Sequence, residues 1–303
     1  MFTLSEAFRR RIVSVWGEEG EAWLERLPLL IEACAERWAL SIRAPAPDLS
    51  YNFVAFVVTA NGTEAVLKIG VPNPELTTEI DALRAYAGGP VVELLEADRR
   101  LGALLIRRLI PGMPLSEAEE DEEATVIAAR LMRDLPIEEP PDHGFPTVEK
   151  WALAFDKLRA RFDGGTGPLP GRMVGKAERL FRELQRSSSC RMLLHGDLHH
   201  ENIRVDGERG WVAIDPKGVI GAPAYEAARF QHNPIPGFLS MDDPRAVAQR
   251  RVEILASILG EDRMRLLAWA FFDAVLAACW SVEEGTHCQY HLACAELFDR
   301  TVE

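Results

Sequence analysis

Asp197 and Asn202 stand five residues apart in the stretch 195–202 (HGDLHHEN), and Asp215 lies 18 residues beyond Asp197. Two carboxylates and a carboxamide are hard oxygen donors. One acid can meet a hydroxyl and receive its proton. The other acid and the amide can hold a divalent cation against anionic oxygens. Phosphoryl transfer makes that demand, since it asks for positioning and charge neutralisation more than for covalent groups. Mg²⁺ suits such a site because it prefers a few hard oxygens plus water. The loop is long enough for Asn202 to fold back while Asp197 points at the acceptor.

The elements around these residues are legible. Residues 192–194 (MLL) form a short apolar strand leading into the loop. Residues 203–205 and 211–214 flank a polar turn at 206–210, a hairpin that carries Asp215 alongside. Upstream, 52–60 (NFVAFVVTA) and 63–69 (TEAVLKI) are rich in β-branched and aromatic residues. Asn61-Gly62 between them signals a tight hairpin. Phe53, Phe56, Val58 and Leu67 are expected in the core of this sheet. Residues 74–86 have a helical period and stop at Gly88-Gly89, and 91–95 and 103–107 follow as strands. Before the sheet, Leu4, Phe8, Ile12 and Val15 recur at helical spacing, and a second helix runs over 21–38. Residues 44–49 (APAPDL) break it.

Beyond 109–114 (LIPGMP), which reads as a hinge, the chain is mainly helical. Ser116 and Glu119 suggest a capping box before a helix at 120–131. The acidic run 117–123 reads as a solvated first turn. Further helices are expected near 147–162, 173–186, 245–259 and 262–284, the last two closed by Gly260 and Gly285. Tyr225 and Pro223 are expected to pack beneath the loop that carries Asp215.

The chain has 303 residues, with 34 Lys plus Arg against 47 Asp plus Glu, a formal net charge of −13. That balance argues against nucleic acid or an anionic membrane as partner and is permissive for a cationic ligand. Five cysteines without a CxxC pair fit free thiols in a reducing compartment. The N-terminus lacks a signal-peptide apolar stretch, and no uninterrupted apolar run approaches membrane-spanning length. A cytoplasmic protein, a monomer or weak dimer, is expected.

The stretch 195–202 resembles the HxDxxxxN catalytic loop of the protein-kinase-like superfamily, and Asp215 stands at that family's metal-binding aspartate. HGD followed by IDP resembles aminoglycoside phosphotransferases. Residues 215–225 (DPKGVIGAPAY) and 269–285 (WAFFDAVLAACWSVEEG) are most similar to the streptomycin/hydroxyurea phosphotransferase branch. The resemblance implies a two-lobed α+β fold, with an antiparallel sheet N-lobe (1–109) and a mainly helical C-lobe (110–303). It implies transfer of the γ-phosphoryl of ATP or GTP to a hydroxyl of an aminoglycoside such as streptomycin, or of a related small acceptor. Asp197 then takes the hydroxyl proton, and Asn202 and Asp215 hold Mg²⁺. Lys68 contacts the α- and β-phosphates and is paired with Glu79; Glu75 is the weaker candidate for that partner. The nucleotide lies between the lobes, its purine read by backbone near Ile106–Leu109 (Ile106 and Leu109). The branch often has an acidic residue where this chain has Ala222, and aspartate where it has Glu226. The phosphate-covering loop, 48–52 (DLSYN), contains no glycine, so Ser50 and backbone amides are left to serve.

Other readings stand beside these. His195, His199 and His200 could suggest zinc, but such sites need three or four converging ligands. His195 is read as a structural hydrogen-bonding residue, while His199 and His200 line the cleft or face water. Lys217 serves a phosphate or pairs with a carboxylate. On the late helix, Asp273, Ala277, Trp280 and Glu284 share one face. Two carboxylates and an indole suit a cationic sugar or guanidinium acceptor, or else a buried tryptophan between salt bridges. A metabolic kinase for another small alcohol or amino sugar and a nucleotide-binding pseudokinase remain the competing functions.

Overall fold

The computed structural model describes residues 4–47 and 49–301. The chain divides into two compact units, Met1–Gly112 and Met113–Glu303.

The first unit opens with α1 (Glu6–Arg37), capped by the Ser5 side chain. The two helices expected here are merged across a kink at Gly17, whose φ is 54°. Strands β1 (Leu40–Pro45), β2 (Phe53–Thr59), β3 (Glu64–Ile69), β4 (Leu94–Asp98) and β5 (Ala103–Arg107) form an antiparallel sheet ordered β1-β2-β3-β5-β4. The β2–β3 hairpin turns at Asn61-Gly62, with Gly62 at φ 87°. Strand β1 is absent from the sequence reading, because its polar, proline-flanked residues look like a break. The buried face of β2 is Phe53, Ala55 and Val57. Phe56 and Val58, expected in the core, are only half-buried. Side chains alternate along a strand, so no odd–even mixture can share one face. Helix α2 (Pro74–Ala85) starts at an Asn73 cap and buries Leu76, Glu79, Ile80, Ala82 and Leu83.

The division falls on β6 (Pro111–Pro114), a strand where a hinge was expected. In the second unit, α3 (Asp121–Asp134) is capped at Glu120 without a side-chain bond. The expected capping box does not form, because Ser116 lies in a 3-10 turn, Leu115–Glu117. Nor is the acidic run wholly solvated. Asp121 accepts from Arg251, whose side chain is fully buried. Then come β7 (Ile137–Glu138), α4 (Val148–Arg161), α5 (Gly171–Arg186) and β8 (Met192–Leu194). The antiparallel hairpin β9 (Ile203–Asp206) and β10 (Gly210–Ala213) follows, then β11 (Val219–Gly221), which pairs with β8. Short α6 (Ala228–Gln231) precedes α7 (Pro244–Leu259), α8 (Arg263–Glu284) and α9 (Gln289–Thr301). Gly260 and Gly285 close α7 and α8 in left-handed conformation, at φ 68° and 72°. Helix α8 has the length and apolarity to cross a membrane, but 78% of that stretch is buried inside the unit. It is the core helix, packed with Phe155 and Phe181 against Phe272.

Candidate active site

The catalytic-loop candidates are held by backbone bonds around one buried ring. His195 is fully buried, and its Nε2 bonds the Ile214 carbonyl at 2.8 Å. Its Nδ1 accepts the Asp197 N–H at 3.2 Å, which leaves the imidazole neutral with its proton on Nε2. Burial drives its pKa down to about 4. The His195 carbonyl accepts the N–H groups of Lys217 and Gly218, tying the segment after Asp215 to the loop before Asp197. Gly196 sits at φ 79°, and a Cβ there would fall 2.7 Å from Val219 and 2.9 Å from Trp151. Only glycine fits that conformation and that space.

Asn202 donates from Nδ2 to the Asp197 carbonyl at 3.0 Å, and its own carbonyl accepts the Ile214 N–H. The amide nitrogen is thereby spent within the loop, and the amide oxygen is the end suited to a cation. Asp215 follows β10 at φ 56°, a left-handed turn that redirects the chain out of the strand. Such a conformation costs a non-glycine residue energy and is tolerated best by Asp and Asn. Asn202 and Asp215 carry the kind of oxygen donor that Mg²⁺ takes, one or two carboxylate or carbonyl oxygens with phosphates and water completing the shell.

The histidines do not act as one group. His199 Nδ1 accepts the Glu201 N–H. His200 does not face water or a cleft: it is buried, stacked on Phe230 at 4.1 Å, with Nε2 beside Arg251. Among the described residues, no set of three or more His, Cys, Asp or Glu is placed to hold a metal.

Glu226, noted in sequence only as a departure from aspartate, clamps the loop from below. Its two oxygens accept the N–H groups of His195 (2.6 Å) and Gly196 (3.0 Å). Burial outweighs those bonds and raises its carboxyl to about 7.

Asp273 is corrected as an acceptor-binding residue. It is 1% exposed, accepts from Tyr225 Oη at 2.7 Å, and pairs with His232 Nε2 at 2.7 Å. Arg229 lies 3.4 Å from the same carboxylate. Its burial would raise the pKa, but Arg229 and His232 together hold it well below the usual range. Trp280 is half-buried beside Trp151, and Glu284 is exposed in the last turn of α8.

In the first unit, Lys68 and Glu79 are brought together. Lys68 Nζ donates to Glu79 Oε1 at 2.7 Å and Oε2 at 2.9 Å, and both residues are buried. Ile106 is buried in β5, and Leu109 is half-buried past its end. The N–H groups of Arg107 and Arg108 are already donated to the carbonyls of Glu93 and Glu64. Asp48 lies outside the described residues; Ser50 is exposed. The segment on either side of Ser50 is braced by α1, with Arg11 donating to the Leu49 carbonyl and Trp16 meeting Tyr51 edge-on. The helical spacing of the N-terminal residues does not reveal this task.

The histidine rings make a prediction. His195, His199, His200, His232 and His291 all have depressed pKa values, burial being the first cause. In the unfolded chain they protonate near pH 6.5. Their contribution is therefore complete above that pH and lost as pH falls toward their folded values. Glu226 acts oppositely, since its raised pKa favours the folded state as pH falls from about 7. At pH 5 its effect and that of His195 are each on the order of 2 kcal/mol and offset one another. The remaining histidines decide the sign: the urea midpoint at pH 5 should lie below that at pH 7.5. An equal or higher midpoint at pH 5 contradicts the neutral assignment of these rings.

Residues 37–285 match the family described as aminoglycoside/hydroxyurea antibiotic resistance kinase. Streptomycin 6-kinase of Streptomyces glaucescens is 30% identical over 272 residues, covering 89% of this chain and 88% of that protein. Hydroxyurea phosphotransferase of Kitasatospora aureofaciens is 34% identical over 283 residues, covering 89% and 77%. The solved choline kinase LicA of Streptococcus pneumoniae superimposes with TM-score 0.63 at 12% identity, covering 92% of this chain and 99% of that one. That likeness establishes a kinase-like α+β fold, with the antiparallel sheet in the first unit and helices dominating the second.

Proposed function

This chain belongs to the aminoglycoside/hydroxyurea antibiotic resistance kinase family and is a small-molecule phosphotransferase, and we propose that it phosphorylates a hydroxyl of streptomycin or a related small acceptor from ATP or GTP. The reading rests on one observation above all. Asp197 and Asn202 are tied by a side-chain bond within a loop that His195 and Glu226 hold rigid.

In this reading the acceptor oxygen bonds to the γ-phosphorus as the bond from that phosphorus to the β–γ bridging oxygen breaks. The hydroxyl proton passes to the Asp197 carboxylate. The products are a phosphate ester and a nucleoside diphosphate. Asp197 is half-buried, with enough of its carboxylate accessible to reach the acceptor while its backbone stays fixed. Asn202 and Asp215 hold Mg²⁺, which neutralises charge on the phosphates. Lys68, oriented by Glu79, engages the α- and β-phosphates, Ser50 borders them, and backbone near Ile106 and Leu109 receives the purine. Lys217, whose N–H donates to the His195 carbonyl, serves a phosphate in this reading. Trp280 and Glu284 remain as acceptor contacts, whereas Asp273 is committed internally. A cytoplasmic setting suits a chain whose five cysteines are all free thiols.

The test is release of nucleoside diphosphate with streptomycin, hydroxyurea, amino alcohols and a homoserine-like alcohol offered in turn. Turnover is expected with streptomycin or hydroxyurea, to vanish with EDTA and to return with excess Mg²⁺. Nucleotide binding without turnover across every acceptor favours the pseudokinase. Turnover confined to the other alcohols favours a metabolic kinase.

A further inference from the structure

Arg229, on the short helix α6, reaches two carboxylates from different parts of the chain. Its Nε is 3.5 Å from Asp197 Oδ1 and 3.4 Å from Asp273 Oδ2. That nitrogen is buried and makes no hydrogen bond. Its guanidinium carbon lies 5.6 Å from the Trp280 ring centre. Asp273 cannot follow the arginine, because Tyr225 and His232 hold its two oxygens. His232 is itself anchored by Tyr290, which donates to its carbonyl. One end of the bridge is therefore fixed in the core, and the other meets a carboxylate whose side chain is 24% exposed.

We infer that Arg229 is a positioning residue, a buried guanidinium shared between Asp197 and the anchored Asp273 that sets the direction of the Asp197 carboxylate. The inference rests on the role proposed above for Asp197. Nε lies within 3.5 Å of both acids but bonds neither, so a reorientation of the guanidinium is enough to engage either one, and the cation can stay with Asp197 as the carboxylate engages an acceptor. Burial works against its charge, and the carboxylates of Asp273 and Asp197 outweigh that cost. Arginine suits the task because its planar head can face two acids while lying against an indole, which a lysine ammonium cannot do. The same arrangement covers part of Trp280 with positive charge. A cationic acceptor must then be read by the indole's remaining surface and Glu284.

The test uses the full chain with Mg-ATP and an acceptor identified in the screen. Arg229→Gln should lower kcat by about 10–100-fold, the scale of a misplaced reacting group, with the KM for ATP within twofold of wild type. Arg229→Lys should recover part of that loss, and added methylguanidinium should partly rescue Arg229→Ala. Asp273→Asn should lower kcat in the same way, and the double variant with Arg229→Gln should lose less than the two losses combined. Folded Arg229→Gln with wild-type kcat, or strictly independent losses in the double variant, overturns the inference. If Arg229→Gln does not fold, Arg229→Lys decides: wild-type kcat there overturns it, and a loss at unchanged KM for ATP supports it. An inactive Asp197→Ala beside a fully active Arg229→Gln rejects this inference alone. An active Asp197→Ala rejects the catalytic reading on which it rests.

Discussion

Asp197→Ala is expected to lower kcat by about 10²–10⁴-fold, the range for loss of a general base, with a folded protein remaining. The local bonds separate these two effects. The Asp197 N–H bonds His195 Nδ1 and its carbonyl accepts from Asn202, so both survive truncation of the side chain. What disappears is a half-buried carboxylate that faces Arg229 and His199. Removing it leaves the Arg229 charge paired with Asp273 alone, a modest cost in stability. Far-UV circular dichroism and thermal melting should therefore look native while single-turnover phosphorylation slows. Asp197→Asn should behave alike, because an amide cannot take the proton. Turnover within threefold of wild type in either variant removes Asp197 from the chemical step.

How much of this was readable in sequence depends on the range of each signal. Local signals held. Asn61-Gly62 makes the β2–β3 turn, and Gly260 and Gly285 end their helices in the conformation that glycine permits. The loop 195–202 and the strand before Asp215 were visible because hairpin periodicity and turn residues lie within a few positions of one another. The errors came where partners are distant. Arg251 makes Asp121 an interior ion pair, and nothing within residues 117–123 signals an arginine 130 residues away. Asp273 looked like a ligand on an amphipathic face. Yet its setting in WAFFDAVLAA, apolar on both sides, was a signal for a buried acid, and a buried acid requires partners. Those partners, Tyr225, His232 and Arg229, lie more than 40 residues upstream. The Glu226 clamp was equally hidden, since its bonds go to backbone N–H groups that carry no side-chain identity.

Lys68 raises a different problem, because its removal is expected to damage both activity and folding. It sits in β3 between β2 and β5, and its ammonium is buried against Glu79. Losing one member of a buried pair leaves an uncompensated charge and costs about 3–5 kcal/mol, whereas replacing both members with apolar residues is often close to neutral. Lys68→Met should thus unfold at clearly lower urea than wild type, and Lys68→Met with Glu79→Leu should regain most of that stability. Activity should not follow. If Lys68 engages the nucleotide phosphates, kcat/KM for ATP should fall by about 10²–10³-fold in both variants, the scale of losing one charged or hydrogen-bonding group from such a site. Direct binding of the acceptor, measured without nucleotide, should be unchanged. A double variant that regains both stability and ATP turnover means that the lysine serves the sheet and not the phosphates.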